Sequence, residues 1–110
     1  MIEFEDFQRV EMATGTIREV QRNEKARDPA YVLRIDFGPH YGERTSSAQL
    51  TGNYAPEDLV GRQIVAVMNF PAKRVAGVKS EVLVIGAVSD ASGIVLLEPT
   101  FPVENGARIG

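Results

Sequence analysis

The sequence predicts an all-β fold, a five-stranded Greek-key barrel with one short helix between its third and fourth strands. Residues 31–37 alternate apolar and polar side chains with the period of two that a half-buried strand requires. Residues 10–20 are rich in strand formers, but the parity of their apolar side chains reverses beside Gly15, which indicates a bend or bulge. Residues 55–61 carry start and stop signals for about one helical turn. A curved first strand and a helix at that point favour a barrel of the OB type, with an SH3-like barrel or a small sandwich as the alternative.

The first 30 residues are expected to supply a short helix, the first strand and a polar loop. Residues 3–9 (EFEDFQR) place Phe4 and Phe7 on one face of a short N-terminal helix. The strand of residues 10–20 follows. The polar residues 21–30 (QRNEKARDPA) then form a loop closed by a proline.

Two further strands joined by a turn are expected over residues 31–51. One face of the first strand is apolar and points to the core; its members are Tyr31, Leu33, Ile35 and Phe37. Residues 38–42 (GPHYG) form the turn. In the next strand Ala48 and Leu50 face inward. The opposite face is a polar ladder of Thr45, Ser47, Gln49 and Thr51.

The second half of the chain alternates short elements with loops. The helical turn begins at Pro56, which suits a first helical position, and ends at Gly61. Residues 64–70 (IVAVMNF) are typical of an apolar strand, and residues 71–80 (PAKRVAGVKS) of a polar loop. The remaining segments are two strand-like stretches around a turn and an extended C-terminal tail, at residues 82–88, 94–97 and 99–110.

Length and composition indicate one domain over residues 1–110 and exclude several functional classes. The chain has no cysteine, which excludes disulfides, thiolate catalysis and cysteine-based zinc sites. No apolar run approaches the roughly 18 residues of a membrane span, so membrane insertion is not expected. The acidic start MIEFEDF does not resemble a signal peptide.

The distribution of charge points to a polyanionic ligand, although the net charge is −3. In OB barrels the loops joining strands 1–2 and 4–5 bind ligands, and here they correspond to residues 21–30 and 71–80. These loops hold six basic and two acidic residues, a balance of +4. The other 90 residues hold six basic and thirteen acidic residues, a balance of −7. Lys and Arg in such loops neutralise phosphates and release counterions.

The aromatic residues indicate how a nucleic acid would be recognised. Tyr31, Phe37 and Phe70 fall on apolar strand faces and are assigned to the core, whereas Tyr41 and Tyr54 are candidates for exposed stacking platforms. A protein that stacks successive bases of a single strand needs more aromatic side chains than this. The composition therefore favours recognition of the backbone and shape of a folded RNA.

An enzyme is not expected. His40 is the only imidazole and lies in a Pro-His-Tyr turn with no second histidine to complete a metal site. The sequence contains neither a nucleophile elbow nor a phosphate-binding glycine motif. We predict a binding module with no catalytic residue, no cofactor and no metal.

Several stretches resemble the tRNA-binding-domain OB proteins, and among them the small stand-alone chaperones related to protein export. The resemblance runs essentially end to end and is most specific in the block Asn-Phe-Pro followed by Arg-Val-Ala-Gly-Val-Lys-Ser-Glu. Its stretches are Thr14–Ile17, Ala26–Ala30, Leu33–Gly38, Ser46–Gln49, Val65–Pro71 and Arg74–Val84. In synthetase-appended domains the Lys-Ser block continues with Glu-Gly-Met. Here Glu81-Val-Leu follows, as in the chaperone branch, and this puts synthetase-like tRNA affinity in doubt.

The resemblance implies a cytoplasmic homodimer that binds tRNA and acts as a chaperone for unfolded or pre-secretory polypeptides, with the secretion machinery as a further partner. The alternative is a structured-RNA module acting in translation. The matching RNA-binding positions are Asn69, Lys73, Arg74, Lys79 and Ser80. A peptide groove is placed near Phe37, Tyr41 and Met68.

Dimerisation also has a rationale in the sequence. The barrel is complete by about Val88, which leaves apolar residues at both ends of the chain in need of cover. These are Phe4, Phe7, residues 94–97, Phe101, Val103 and Ile109. A two-fold partner would cover such segments reciprocally. The alternative is that they fold back onto their own barrel.

Overall fold

A computed structural model describes all residues 1–110 and confirms the predicted barrel. The central sheet has five antiparallel strands in the order β3-β2-β1-β4-β7, which is the arrangement of an OB fold. Its strands are β1 (Met12–Arg22), β2 (Tyr31–Asp36), β3 (Glu43–Ala48), β4 (Gln63–Val67) and β7 (Leu83–Val84). Two hairpins complete the strands, formed by β5 (Lys73–Val75) with β6 (Val78–Ser80) and by β8 (Gly86–Ser89) with β9 (Gly93–Leu96).

Three short helices accompany the strands: α1 (Phe4–Gln8), α2 (Gly38–Tyr41) and α3 (Pro56–Leu59). Helices α1 and α3 lie where the sequence predicts them, and α3 buries Leu59 under the barrel. Helix α2 corrects the prediction of a simple turn, because residues 38–41 close one helical turn in which the Gly42 N–H donates to the Gly38 carbonyl at 2.7 Å. No helix of the structure has the length and apolar character needed to cross a bilayer.

The first strand is shared between two sets of neighbours. Residues Met12–Thr16 pair with β4, and residues Thr16–Arg22 pair with β2. The register against β2 shifts between Ile17 and Glu19, so the predicted irregularity lies just beyond Gly15. At Gly15 the backbone passes so close to the core that a Cβ atom would lie 2.6 Å from the Phe37 ring.

The predicted extended tail runs beside the first half of β1. The Thr14 N–H donates to the Ala107 carbonyl at 3.0 Å, the Gly106 N–H donates to the Thr14 carbonyl at 2.7 Å, and Ala13 forms a bridge with Arg108. The tail therefore occupies the edge of β1 that β2 leaves open.

The barrel closes between β3 and the segment before β7. The Glu81 N–H donates to the Thr45 carbonyl at 2.8 Å, and the buried Ser46 hydroxyl donates to the Val82 carbonyl at 3.2 Å. The core inside this closure is built from both barrel halves and includes Ile17, Leu33, Ile35, Leu50, Ile64 and Ala66.

The structure corrects three of the predictions about aromatic residues. Tyr31 and Phe37 are buried as predicted, but Phe70 is 55% exposed, because β4 ends at Val67 and the chain turns away from the core. Tyr41 and Tyr54 are not exposed platforms, since both are half-buried against the core. The Tyr54 hydroxyl also accepts a hydrogen bond from the Leu96 N–H at 3.0 Å.

Candidate nucleic-acid interface

The predicted polar loop of residues 71–80 is in fact a two-stranded hairpin. Strands β5 and β6 pair Lys73 with Ser80 and Arg74 with Lys79. The turn between them is formed by Ala76 and Gly77, whose φ angles are 48° and 83°. Two successive positive φ values are typical of the tight turn that matches the twist of a hairpin. The hairpin places Arg74 and Lys79 side by side on one face.

The loop between β1 and β2 packs against the tip of this hairpin. The Asn23 side chain donates from Nδ2 to the Ala76 carbonyl at 3.4 Å, and its Oδ1 accepts the Lys25 N–H at 3.1 Å. The side chain of Lys25 passes over the turn, where its Cδ lies 3.6 Å from the position of a Cβ on Gly77. The two loops that the sequence predicts to bind a ligand are therefore in contact with each other.

The basic residues of these two contacting loops are together called the basic surface below. Its members are Arg22, Lys25, Arg27, Lys73, Arg74 and Lys79, and all six are exposed. The four ion pairs of the structure use Arg9, Arg18, Arg34 and Arg62, all outside the two loops. No ion pair therefore neutralises the basic surface, and its charge is available to an external anion.

Two of the five predicted RNA-binding residues hold separate parts of the fold together with their side chains. The Ser80 Oγ accepts the Ser47 N–H at 3.0 Å and holds the hairpin against β3. The Asn69 side chain accepts the Glu11 N–H at 2.9 Å and donates to the Arg9 carbonyl at 2.8 Å, which ties the end of α1 to the end of β4. Lys73, Arg74 and Lys79, in contrast, are exposed on the hairpin, and the one hydrogen bond among their side chains is local, from Arg74 Nη1 to the Gly77 carbonyl at 3.1 Å.

The predicted peptide groove is not a groove in this structure. The exposed fraction of Phe37 is 0% and that of Met68 is 6%, so both side chains belong to the core. The Tyr41 hydroxyl donates to Glu11 Oε1 at 2.8 Å, and this bond to a carboxylate raises the pKa of the phenol above its usual range. The prediction is wrong because alternating apolar residues face the inside of a barrel, whereas a groove needs apolar residues at its rim.

An open apolar pocket, which the sequence did not predict, lies next to the hairpin. It has a volume of about 530 Å³. Its walls come mainly from the chain after β4, one face of the hairpin and the chain that leads into β7. They include Phe70, Pro71, Lys73, Ser80, Glu81 and Leu83. The signal available in the sequence was Pro71 directly after Asn69 and Phe70, since proline has no N–H to donate to a neighbouring strand and therefore does not continue a central strand.

A family model and several known proteins are similar to this chain over most of its length. A family model described as "Putative tRNA binding domain" matches residues 12–108. The methionine–tRNA ligase of Pyrococcus furiosus is 37% identical over 109 residues, which are 98% of this chain and 14% of the ligase. That of Porphyromonas gingivalis is 32% identical over 108 residues, 98% of this chain and 15% of the ligase. The chain thus spans only a small part of the curated relatives it matches.

Two solved structures are similar over the whole chain. The crystal structure of chaperone CsaA from Bacillus anthracis has a TM-score of 0.94 and 52% identity, and the match covers 100% of this chain and 99% of that one. The CsaA chaperone from Picrophilus torridus also has a TM-score of 0.94, with 43% identity and 100% coverage of both chains.

Proposed function

We propose that this chain, which belongs to the tRNA-binding-domain family, is a non-catalytic module that binds tRNA through the basic surface. The observation that carries the proposal is the set of six exposed loop cations that no ion pair neutralises, on a chain whose 90 residues outside the two loops carry a balance of −7. A single cationic patch on an acidic body orients a polyanion toward that patch and disfavours binding elsewhere.

Lys73, Arg74 and Lys79 are proposed to contact phosphates directly, because their side chains are exposed on the hairpin. Ser80 and Asn69 are proposed to act mainly by positioning, since their side chains hold the hairpin and the end of β4 in place. This division predicts that the cations govern the salt dependence of binding, while the two polar residues do not.

The test is the affinity for a purified tRNA measured over a range of salt concentrations. Each lost phosphate contact lowers the slope of log K against log salt by about one, so the triple variant Lys73→Ala/Arg74→Ala/Lys79→Ala should lose about three. The matched control is Arg9→Ala/Arg18→Ala/Arg108→Ala, which removes the same charge outside the two loops. Equal affinity and slope in the two triple variants would refute the proposed site.

A second function, binding of unfolded or pre-secretory polypeptides by a cytoplasmic homodimer, is favoured by a separate observation. Large apolar side chains are exposed at both ends of the chain, with exposed fractions of 71% for Phe4 and 79% for Phe101. The two chaperone structures described above, to which this chain is similar over its whole length, point the same way. We propose that a second copy of the chain covers part of this surface and that polypeptide binds to the apolar surface left open.

The dimer and the chaperone activity are tested separately. Light scattering at micromolar concentration should give twice the monomer mass, and Phe4→Ser/Phe101→Ser should shift it toward the monomer. Val88→Ser is the control, since Val88 is 83% exposed but lies outside the two end segments. If a denatured reporter protein aggregates at the same rate with and without the wild-type chain, the polypeptide-binding function is wrong.

A further inference from the structure

We infer that the apolar pocket beside the hairpin takes one unpaired base of the bound RNA, which stacks on Phe70 and presents its edge to Glu81. This inference rests on the proposed tRNA-binding function and specifies what part of the RNA is recognised. It assigns to this chain a contact with a base, in addition to the phosphate contacts of the basic surface.

The pocket is lined by an exposed aromatic ring and further apolar side chains. Phe70 is 55% exposed although it is a large aromatic residue, and Pro71 and Leu83 continue the apolar wall. The volume of about 530 Å³ lies within the range of roughly 300–1,000 Å³ that small-molecule sites occupy. Every base has a π-face that stacks on such a ring, and sequence-specific RNA binding generally uses unpaired bases splayed out of the stack.

A positively charged side chain lies in the wall of the pocket. Lys73 belongs both to the wall of the pocket and to the basic surface, and it forms no ion pair. Lys79 lies one position away across the hairpin, opposite Arg74. An apolar pocket with one unneutralised cation, Lys73, in its wall is complementary to a nucleotide, which joins an apolar face to a phosphate. An apolar peptide segment has no anion to place there, so we commit to RNA.

An acidic side chain in the pocket determines which base is preferred. Glu81 lines the pocket, and one of its oxygens accepts the Thr45 N–H at 3.1 Å. The other oxygen accepts no hydrogen bond in the structure. A carboxylate is only an acceptor, so it binds an exocyclic amino group such as N4 of cytosine and repels the carbonyl O4 of uracil. The pocket should therefore favour cytosine over uracil.

The first experiment measures the affinity of variants for a purified tRNA and for a blunt RNA duplex. Phe70→Leu keeps the apolar surface but removes the ring. It should weaken tRNA binding by about 5- to 150-fold, with an unchanged salt slope and unchanged duplex binding. Phe70→Trp should retain the affinity. Val88→Ala is the control, because it shortens another exposed apolar side chain that does not line the pocket.

The second experiment tests the edge contact with fluorescently labelled 12-mers of cytidine and of uridine. Wild type should bind the cytidine 12-mer at least about fivefold more tightly. Glu81→Gln keeps an acceptor for the Thr45 N–H but adds a donor, so it should reduce or reverse this preference. An equal preference in wild type and Glu81→Gln would overturn the assignment of Glu81.

The outcomes separate this inference from the proposed function. If Phe70→Leu binds tRNA like Val88→Ala while the triple hairpin variant is weakened, the basic surface binds tRNA but the base pocket is wrong. If the triple variant also binds like wild type, the proposed function itself fails. If Phe70→Leu loses binding of a denatured polypeptide but not of tRNA, the pocket belongs to the chaperone function and the inference is overturned.

Discussion

Replacement of Gly15 by alanine should destabilise the barrel, because this glycine allows β1 to pass over the core. A Cβ at this position would lie 2.6 Å from two carbons of the Phe37 ring and 2.8 Å from Cγ2 of Ile35. Carbon atoms in contact prefer a separation of roughly 3.5–4.0 Å, so the new atom overlaps its neighbours by about 1 Å. Both neighbours have an exposed fraction of 0%, which leaves them little room to move.

The expected loss is the difference between two effects. Overpacking of a core costs about 1–3 kcal/mol. Loss of the glycine's backbone freedom in the unfolded chain returns about 0.4–1 kcal/mol. The net change in the free energy of unfolding is about 1–2 kcal/mol, which lowers the melting temperature of a domain of this size by roughly 4–10 °C.

Thermal and urea unfolding followed by circular dichroism measure this change. Gly52→Ala is the matched control, since no atom lies within 4 Å of its added methyl group and its φ is not positive. Phe37→Leu should partly relieve the overlap, so the double variant Gly15→Ala/Phe37→Leu should be more stable than the sum of the single losses predicts. Equal stability of Gly15→Ala and Gly52→Ala, or strict additivity in the double variant, would refute the reasoning.

Three further predictions concern polar contacts. Ser80→Ala leaves the half-buried Ser47 N–H without its acceptor and should cost about 1 kcal/mol in urea unfolding while the salt slope of tRNA binding stays unchanged; a changed slope would make Ser80 a phosphate contact. Asn69→Ala releases the Glu11 N–H and should speed hydrogen exchange of residues 1–10 with little change in global stability; unchanged exchange would contradict the tethering role. In the folded protein the Gly38 N–H and then Arg18 lower the pKa of the Asp36 carboxyl below 3.8. Asp36 therefore stabilises the fold fully at pH values above the pKa that it has in the unfolded chain, and this stabilisation is lost as the pH falls through its lower pKa in the folded protein. Asp36→Asn should therefore lose less stability than wild type when urea unfolding is compared at pH 6 and pH 3, and an equal loss would exclude Asp36.

The elements with a clear period or a clear terminus could be predicted from the sequence. The alternation of residues 31–37 identifies β2, and Pro56 and Gly61 bracket α3. The concentration of basic residues in two loops could also be predicted, because locating these loops requires only the order of strands in the barrel. Their direct contact through Asn23 and the Ala76 carbonyl could not be predicted, since the two residues are 53 positions apart and the bond depends on tertiary structure.

The remaining errors have local physical causes. Strands β5 and β6 have three residues each, too few to show a period, and the positive φ of Ala76 is unusual for a residue with a side chain. The exposure of Phe70 depends on the Asn69 amide, which bonds to backbone groups 58 and 60 positions away. Hydropathy places an aromatic residue inside a barrel by default. Only the path of the chain beyond the strand decides that this one points outward.

The sharing of β1 between two sets of neighbours implies an order of events in folding. Its second half pairs with β2 across one loop, and β3 follows directly, so this meander closes over short stretches of chain. Its first half bonds to the tail, where Thr14 and Glu104 are 90 positions apart. Closing a long loop costs more entropy and comes later. The two halves of one continuous strand therefore become ordered in different steps, and in the native state the tail is expected to be the first part to open.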